Sequence, residues 1–316
     1  MTTTSIYSVE DHVVVDAQLA DVRDLVNDVV GWCQLHPSAV HAEILDSEGD
    51  YERIQHWSVV DDHTVRTWTV RRYQDPDGNH IRFDHEDPEV PFATLRGDWD
   101  FEDQPDGRTL VRMRHEFTTT IDGAAEAERI AENLRRGHRE YLDTLTYAID
   151  NRADLEQRIV SFDDPLFVAG SIEDAYSYLY EADKWEERIP HISRLVLEQP
   201  SEDVQFFEME TTTPDGSSHT TRSVRIGLEP RLIVYKQIHL PALLDAHTGH
   251  WKFTQTPEGV IASARHTATI KPSALHILGE DATIQDARSY LRRVLSANSM
   301  SNLRLAKAYT EELAGV

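Results

Sequence analysis

The sequence predicts an α+β protein made of two tandem copies of one domain, each a curved antiparallel sheet wrapped around a long C-terminal helix and enclosing a cavity. Three observations predict it: a spaced motif recurs about half a chain later, segments of alternating polarity are separated by Pro/Gly turns, and each half closes on an apolar stripe of helical period.

The repeat is the strongest signal. Gly97-Asp98-Trp99-Asp100-Phe101 followed by Pro105-Asp106-Gly107 is answered by Gly249-His250-Trp251-Lys252-Phe253 and Pro257-Glu258-Gly259 with identical spacing, the two tryptophans standing 152 residues apart. Trp32 precedes Pro37 as Trp185 precedes Pro190, at an offset of 153. His63-Thr64-x-Arg66 is matched to His219-Thr220-x-Arg222 at 156, and Arg114-His115 to Arg265-His266 at 151. The order is kept in both halves, so the chain reads as a duplication with small loop insertions and domains at 1–152 and 153–316. On this alignment Trp68 stands opposite Val224, Asp98 opposite His250 and Cys33 opposite Glu186. The two cavities are therefore not chemically equal.

Within each half the elements follow in the same order. A β-type run opens it (Asp11 to Val15; Pro165 to Ala169), then an amphipathic stretch with Val22, Leu25, Val26 and Val29, or Ala175, Tyr178, Leu179 and Ala182, at helical spacing. Arg66 to Val70, Ile81 to Phe83 and Val111 to Arg114 alternate as strands, and Pro76-Asp77-Gly78-Asn79 and Pro105-Asp106-Gly107 are turns between them. Ile130, Leu134, Tyr141, Leu142, Leu145 and Ile149 form the first closing helix. Ile284, Ala287, Leu291, Val294 and Leu305 form the second, with a polar break near Asn298, and the passage between domains is short, around Asn151 to Ser161.

Composition limits the function. With 56 acidic against 31 basic residues the formal charge is −25, which repels phosphate backbones and argues against nucleic-acid binding. Two arginine groups, Arg135/Arg136/Arg139 and Arg292/Arg293/Arg304, read as solvated helix faces balancing nearby acids. No apolar run is long enough to span a membrane, Met1 to Glu10 reads as no signal peptide, and the single cysteine, Cys33, fits a reducing cytoplasm.

The stretches Trp32 to Pro37, His63 to Trp68, Pro88 to Phe101 and Arg114-His115, with Trp185 to Pro190, His219 to Arg225, Ile238 to Asp245 and Gly249 to Phe253, resemble the di-domain aromatase/cyclases of bacterial type II polyketide synthases. The resemblance covers essentially the whole chain and implies two START-like helix-grip domains. It implies a cytoplasmic, cofactor-independent cyclase/dehydratase of aromatic (antibiotic) polyketide biosynthesis that uses neither metal nor redox cofactor. Its task would be first-ring closure between C7 and C12, or dehydrative aromatisation, or both. The substrate would be a poly-β-ketone on an acyl carrier protein, with other synthase subunits as partners. Unreduced chains and chains reduced at C9 are both open, the reduced one preferred. A non-catalytic START-like carrier of hydrophobic ligands is the alternative.

Ring closure needs an acidic carbon deprotonated, an oxyanion stabilised and a leaving hydroxyl protonated. Arg66 and Arg222 suit the oxyanion, since guanidinium stays charged and offers forked donors. Thr64 and Thr220, two residues earlier and so on the same strand face, suit a substrate carbonyl; related single-domain enzymes resemble this in placing a hydroxyl residue two positions before an arginine. His115 and His266 are the candidate acid/bases. Trp32, Trp68, Trp99, Trp185 and Trp251 are candidate stacking walls, and Tyr235 a further substrate contact. Cys33, without a counterpart, is not expected to be a nucleophile.

Overall fold

The computed structural model describes residues 5–121, 123–190, 192–212 and 218–315. They cluster into two compact units, Met1–Ser58 with Arg66–Arg152, and Val59–Val65 with Ala153–Val316.

In the first unit, β1 (Tyr7–Val15) leads through α1 (Leu19–Asn27) and the single turn α2 (Trp32–Leu35) into six strands: β2 (Ala39–Glu48), β3 (Tyr51–Asp61), β4 (Thr64–Gln74), β5 (His80–Glu86), β6 (Phe92–Asp103) and β7 (Thr109–Thr119). The long helix α3 (Ala124–Asp150) closes it. The sheet runs β1-β7-β6-β5-β4-β3-β2, a meander whose first strand returns to pair antiparallel with the last. Both Pro/Gly turns lie where expected, and each needs its glycine: Gly78 and Gly107 have φ of +70° and +82°, a region costly for a residue with a Cβ. Inward residues of the strands meet α1 and α3 in one core that includes Val15, Val22, Ile54, Val70, Val111, Leu142 and Leu145. One buried residue breaks the apolar stripe of α3: His138.

The second unit repeats the plan. After α4 (Arg152–Arg158) come β8 (Ile159–Val168), α5 (Ile172–Tyr180), α6 (Trp185–Arg188) and then β9 (Ile192–Glu198), β10 (Val204–Thr212), β11 (Ser218–Leu228), β12 (Leu232–His239), β13 (Leu244–Thr256), β14 (Gly259–Ile270) and α7 (Ile284–Ala314). The strand order, β8-β14-β13-β12-β11-β10-β9, matches the first sheet position by position. Thr283 and Asp286 form a capping box at the start of α7, each satisfying the other's orphan backbone N–H. The apolar stripe of α7 turns polar just past Asn298, at buried Ser299 and Asn302. The helix itself is continuous through this stretch, and Thr310 is a further buried polar residue on it. Both opening strands start earlier than expected, at Tyr7 and Ile159, because long neighbours give them partners throughout.

Strand register corrects the alignment of the repeats at one place. Trp99 pairs with Ile81 as Trp251 pairs with Ile233, which makes β5 and β12 equivalent at an offset of 152. Arg72 pairs with Phe83 in β5, and Arg225 with Tyr235 in β12. The equivalent of Arg225 is therefore Arg72, and the offset between β4 and β11 is 153. The match of Arg66 to Arg222 is three residues out of register, an odd step that reverses the strand face. Arg66 corresponds to His219, whose side chain lies outside the described residues, and Trp68 to Thr221 rather than Val224. The Arg-His pairing does follow the ladder, since His115 pairs with Gly97 as His266 pairs with Gly249.

The arginine groups lie mostly among acids: Arg135 with Glu128 and Glu132, Arg139 with Glu132, and Arg292 with Asp164. Among the described residues no helix is long and apolar enough to cross a membrane.

Candidate active site

The first unit holds a cavity of about 250 Å³ between its sheet and helices α1 to α3, at the small end of ligand pockets. Its walls are aromatic. Trp32, Trp57, Trp68 and Trp99 line it, with Tyr141 stacked on Trp32 at 5.7 Å between ring centroids. Trp99 lies parallel to Phe101 and edge-on to Tyr141, so it serves core and wall at once. The indole N–H of Trp32 is buried and has no protein partner among the described residues, which leaves a donor on the wall.

Polar groups enter from five strands, β2, β3, β4, β5 and β7. On β4, alternation turns Arg66, Trp68, Val70 and Arg72 toward the cavity. Arg66 stands at the more open end, 44% exposed, 3.8 Å from Glu89 and 5.8 Å above the Trp68 ring. Its charge is only loosely matched there. Arg72 is deeper and is held by Glu52, its Nε donating at 3.1 Å. His56 stacks on Trp68, and burial pushes its pKa down to about 3, with His85, Arg72 and His41 acting in the same direction. His85 is held at about 4 by burial and by Arg66.

His115 enters from β7, buried and edge-on to Phe83. Its Nδ1 lies 2.7 Å from Nε2 of His138 on α3, and His138 Nδ1 donates at 2.9 Å to the Asp11 carboxylate on β1. Burial, then the neighbouring His138 and His85, keeps His115 well below the ordinary histidine range. Sequence reading missed His138 and Asp11. The helix residue lies between arginines in a polar stretch, and its partners are 23 and 127 residues away.

Thr64 does not reach this cavity. It is exposed at the start of β4, where its hydroxyl and backbone bond Asp61 across the tight β3–β4 turn. Thr220 is likewise exposed. Arg222 is buried, but on the face of β11 opposite Arg225; it donates to Glu198 at 3.0 Å and to the Asp62 carbonyl at 2.7 Å. Both those oxygens are protein acceptors, so its charge is already met.

In the second unit, His266 and Tyr235 do come together, their Nδ1 and hydroxyl 2.7 Å apart. His247 adds its Nε2 at 3.1 Å from the same nitrogen, and its own Nδ1 is 2.9 Å from Gln237. Burial pushes His247 to about 3, His266 to about 4, and the Tyr235 hydroxyl well above its ordinary value. Nε2 of His266 is buried without a partner among the described residues. Trp251 is core, and Trp185 packs under the guanidinium of Arg225 at 4.8 Å. Among the described residues no group of three or more His, Cys, Asp or Glu side chains could hold a metal ion.

Two sheets each gripping a helix, with imidazoles and guanidiniums set in an aromatic cavity of the first unit, define a di-domain helix-grip protein. The family model described as polyketide cyclase/dehydrase and lipid transport matches residues 7–149. The granaticin polyketide synthase bifunctional cyclase/dehydratase of Streptomyces violaceoruber is 37% identical over 304 residues, 96% of this chain and 94% of that protein. Two solved structures cover nearly the whole chain. The di-domain ARO/CYC StfQ from the steffimycin biosynthetic pathway is 51% identical with a TM-score of 0.89, covering 98% of this chain and 100% of that one. The di-domain ARO/CYC BexL from the BE-7585A pathway is 32% identical with a TM-score of 0.84, covering 96% and 99%. The chain belongs to the family of di-domain polyketide cyclase/dehydratases, and it is an enzyme.

Proposed function

We propose that this enzyme closes the first six-membered ring of a carrier-bound poly-β-ketone, between C7 and C12, and aromatises it by loss of water, acting on a chain already reduced at C9. An acyl carrier protein presents the chain, and the other type II synthase subunits precede it; the similarity to a polyketide synthase cyclase/dehydratase supports this. One observation carries the reading: the first unit's cavity sets His115 and the loosely paired Arg66 on walls that are otherwise mostly aromatic and aliphatic.

His115 takes a proton from a methylene flanked by two carbonyls, and the C–H electron pair becomes an enolate whose oxygen faces Arg66. The enolate carbon attacks a ketone carbon of the same chain, forming the ring bond and an alkoxide that takes the proton back from the His115 imidazolium to become a hydroxyl. Loss of a neighbouring proton to His115, and departure of the hydroxyl with that proton from the imidazolium, releases water and makes a double bond; the same step at the C9 hydroxyl releases a second water, and enolisation of the remaining ring ketone completes the aromatic ring. Trp32, Trp68 and Trp99 flatten and confine the chain, and Arg66 is preorganised for charge that appears only on reaction. In the second unit we assign His266 and Tyr235, with His247, to a chemically different cluster suited to holding substrate. Arg222, Thr64 and Thr220 are assigned no substrate contact, because their partners are protein groups or solvent.

The test is a minimal synthase reconstituted with and without its ketoreductase. Adding this protein is expected to yield a new first-ring aromatic only with the ketoreductase, and Arg66→Ala to lower that product roughly 100-fold. An equal product without the ketoreductase overturns the C9 assignment. An unchanged ring pattern in Arg66→Ala overturns the role of the arginine.

A further inference from the structure

We propose that Asp11, His138 and His115 form a proton relay that fixes His115 as a base and passes a proton on to His138, which lies against a partly exposed carboxylate. The proposal rests on the reading that His115 works on substrate in the first unit's cavity.

The tautomers follow from the chain of contacts. Asp11, an acceptor only when ionised, requires the proton of neutral His138 to sit on Nδ1. His138 Nε2 is then an acceptor and requires the proton of His115 to sit on its Nδ1. Nε2 of His115, the nitrogen left for the cavity, carries the lone pair. When it takes a proton from substrate, the Nδ1 proton passes to His138 Nε2. The cation now resides on His138 against Asp11, where the carboxylate balances it, and His115 is neutral again with its proton on Nε2. Reversal returns that proton to a leaving hydroxyl. His138 is 1% exposed and Asp11 27%, so the cation stays buried but leaves the cavity wall for the side of a carboxylate that reaches water. The other groups facing the relay are His85 on β5 and Arg139 on α3; the strand neighbours of His115 in register, Val9 and Gly97, carry no charge.

The second unit supplies the contrast. Asp11 pairs with Met113, itself opposite Trp99, and Asp164 pairs with Ala264, opposite Trp251, so the two aspartates are equivalent. The residue of the closing helix that binds the aspartate is His138 in one unit and Arg292 in the other, the latter bidentate at 2.7 and 2.8 Å. Arginine does not give up its proton in a protein. Asp164–Arg292 is a fixed ion pair and Asp11–His138 a movable one, so the relay belongs to the first unit.

Two readouts on the full chain test this. Long-range 15N–1H spectra of 15N-histidine protein are expected to show neutral His115 as the Nδ1–H tautomer, and Asp11→Asn to mix the tautomers of His115 and His138 while Asp164→Asn leaves them unchanged. Asp11→Asn and His138→Gln are expected to lower kcat for dehydration about 10- to 100-fold, with KM within about twofold and a displaced acid limb in the pH profile. An Nε2–H tautomer of His115 in the unmodified protein overturns the relay. So does an Asp11→Asn variant with unchanged spectra and an unchanged pH profile. Expected spectra with no ring-forming activity in the unmodified protein would overturn the proposed function instead.

Discussion

Gly97 and Gly249 show how one missing Cβ makes room for an aromatic side chain in each unit. A Cβ at Gly97 would fall 2.0–2.7 Å from the Phe83 ring, the ring that leans edge-on against His115. A Cβ at Gly249 would fall 2.2 Å from the Arg265 carbonyl and 2.3 Å from the Tyr235 hydroxyl. An aromatic ring can tilt; a backbone carbonyl inside a ladder cannot. Gly97→Ala is therefore expected to cost about 1–3 kcal/mol and to impair turnover through His115, and Gly249→Ala to cost more. Thermal unfolding of the two variants checks the order, and a smaller loss for Gly249→Ala would sink the argument. Sequence could single out both glycines through the repeated Gly-x-Trp-x-Phe. It could not say that each underlies a histidine on the next strand, because that pairing is set by register.

At the scale of elements, turns and periodicity made most of the fold legible: Pro-Asp-Gly turns, alternating strands and two apolar helix stripes mark their own places. Register was not legible from short motifs. His63-Thr64-x-Arg66 resembles His219-Thr220-x-Arg222 by letters, yet the ladder aligns Arg225 with Arg72, because strand pairing is decided by which side chains fill the core. Arg225 carries the consequence. It is 1% exposed, spends its guanidinium on the carbonyls of Leu179 and Tyr180 and on Gln205, and lies over Trp185 and Phe207. That ties the end of α5 to β10 and β11. Burial lowers its pKa only to about 10, so it stays charged at neutral pH. Arg225→Ala would remove the donors to the Leu179 carbonyl and Gln205 Oε1, while the Tyr180 carbonyl keeps Gln205 Nε2, and is expected to cost about 3 kcal/mol, read as a lowered urea midpoint. A shift as small as that of an exposed arginine such as Arg108 would contradict it.

For the whole molecule, the histidines make folding pH-dependent in a defined sense. His115, His247 and His266 are buried and held below the ordinary histidine range, the last two at about 3 and about 4, chiefly by burial. Above roughly pH 6.5 all three are neutral folded or unfolded and contribute no pH dependence. Below that the unfolded chain binds protons that the folded chain refuses, so stability falls as pH falls, by up to ~1.4 kcal/mol per histidine per pH unit, until the folded pKa is reached. The carboxylates held low by basic partners, Glu86, Asp164 and Glu198 among them, add a second loss at lower pH, as pH falls through their ordinary range. The net charge of −25 acts the other way, since its self-repulsion relaxes as histidines take up protons. The two effects are separable by salt, which screens the surface charge and hardly touches a buried ring. In 0.3 M salt, the thermal midpoint is expected to fall steadily from pH 6.5 to 5.5, and His247→Gln to flatten part of that slope. A midpoint that holds level or rises over that interval would mean that the buried imidazoles are already protonated in the fold, and His115 could not then serve as the base.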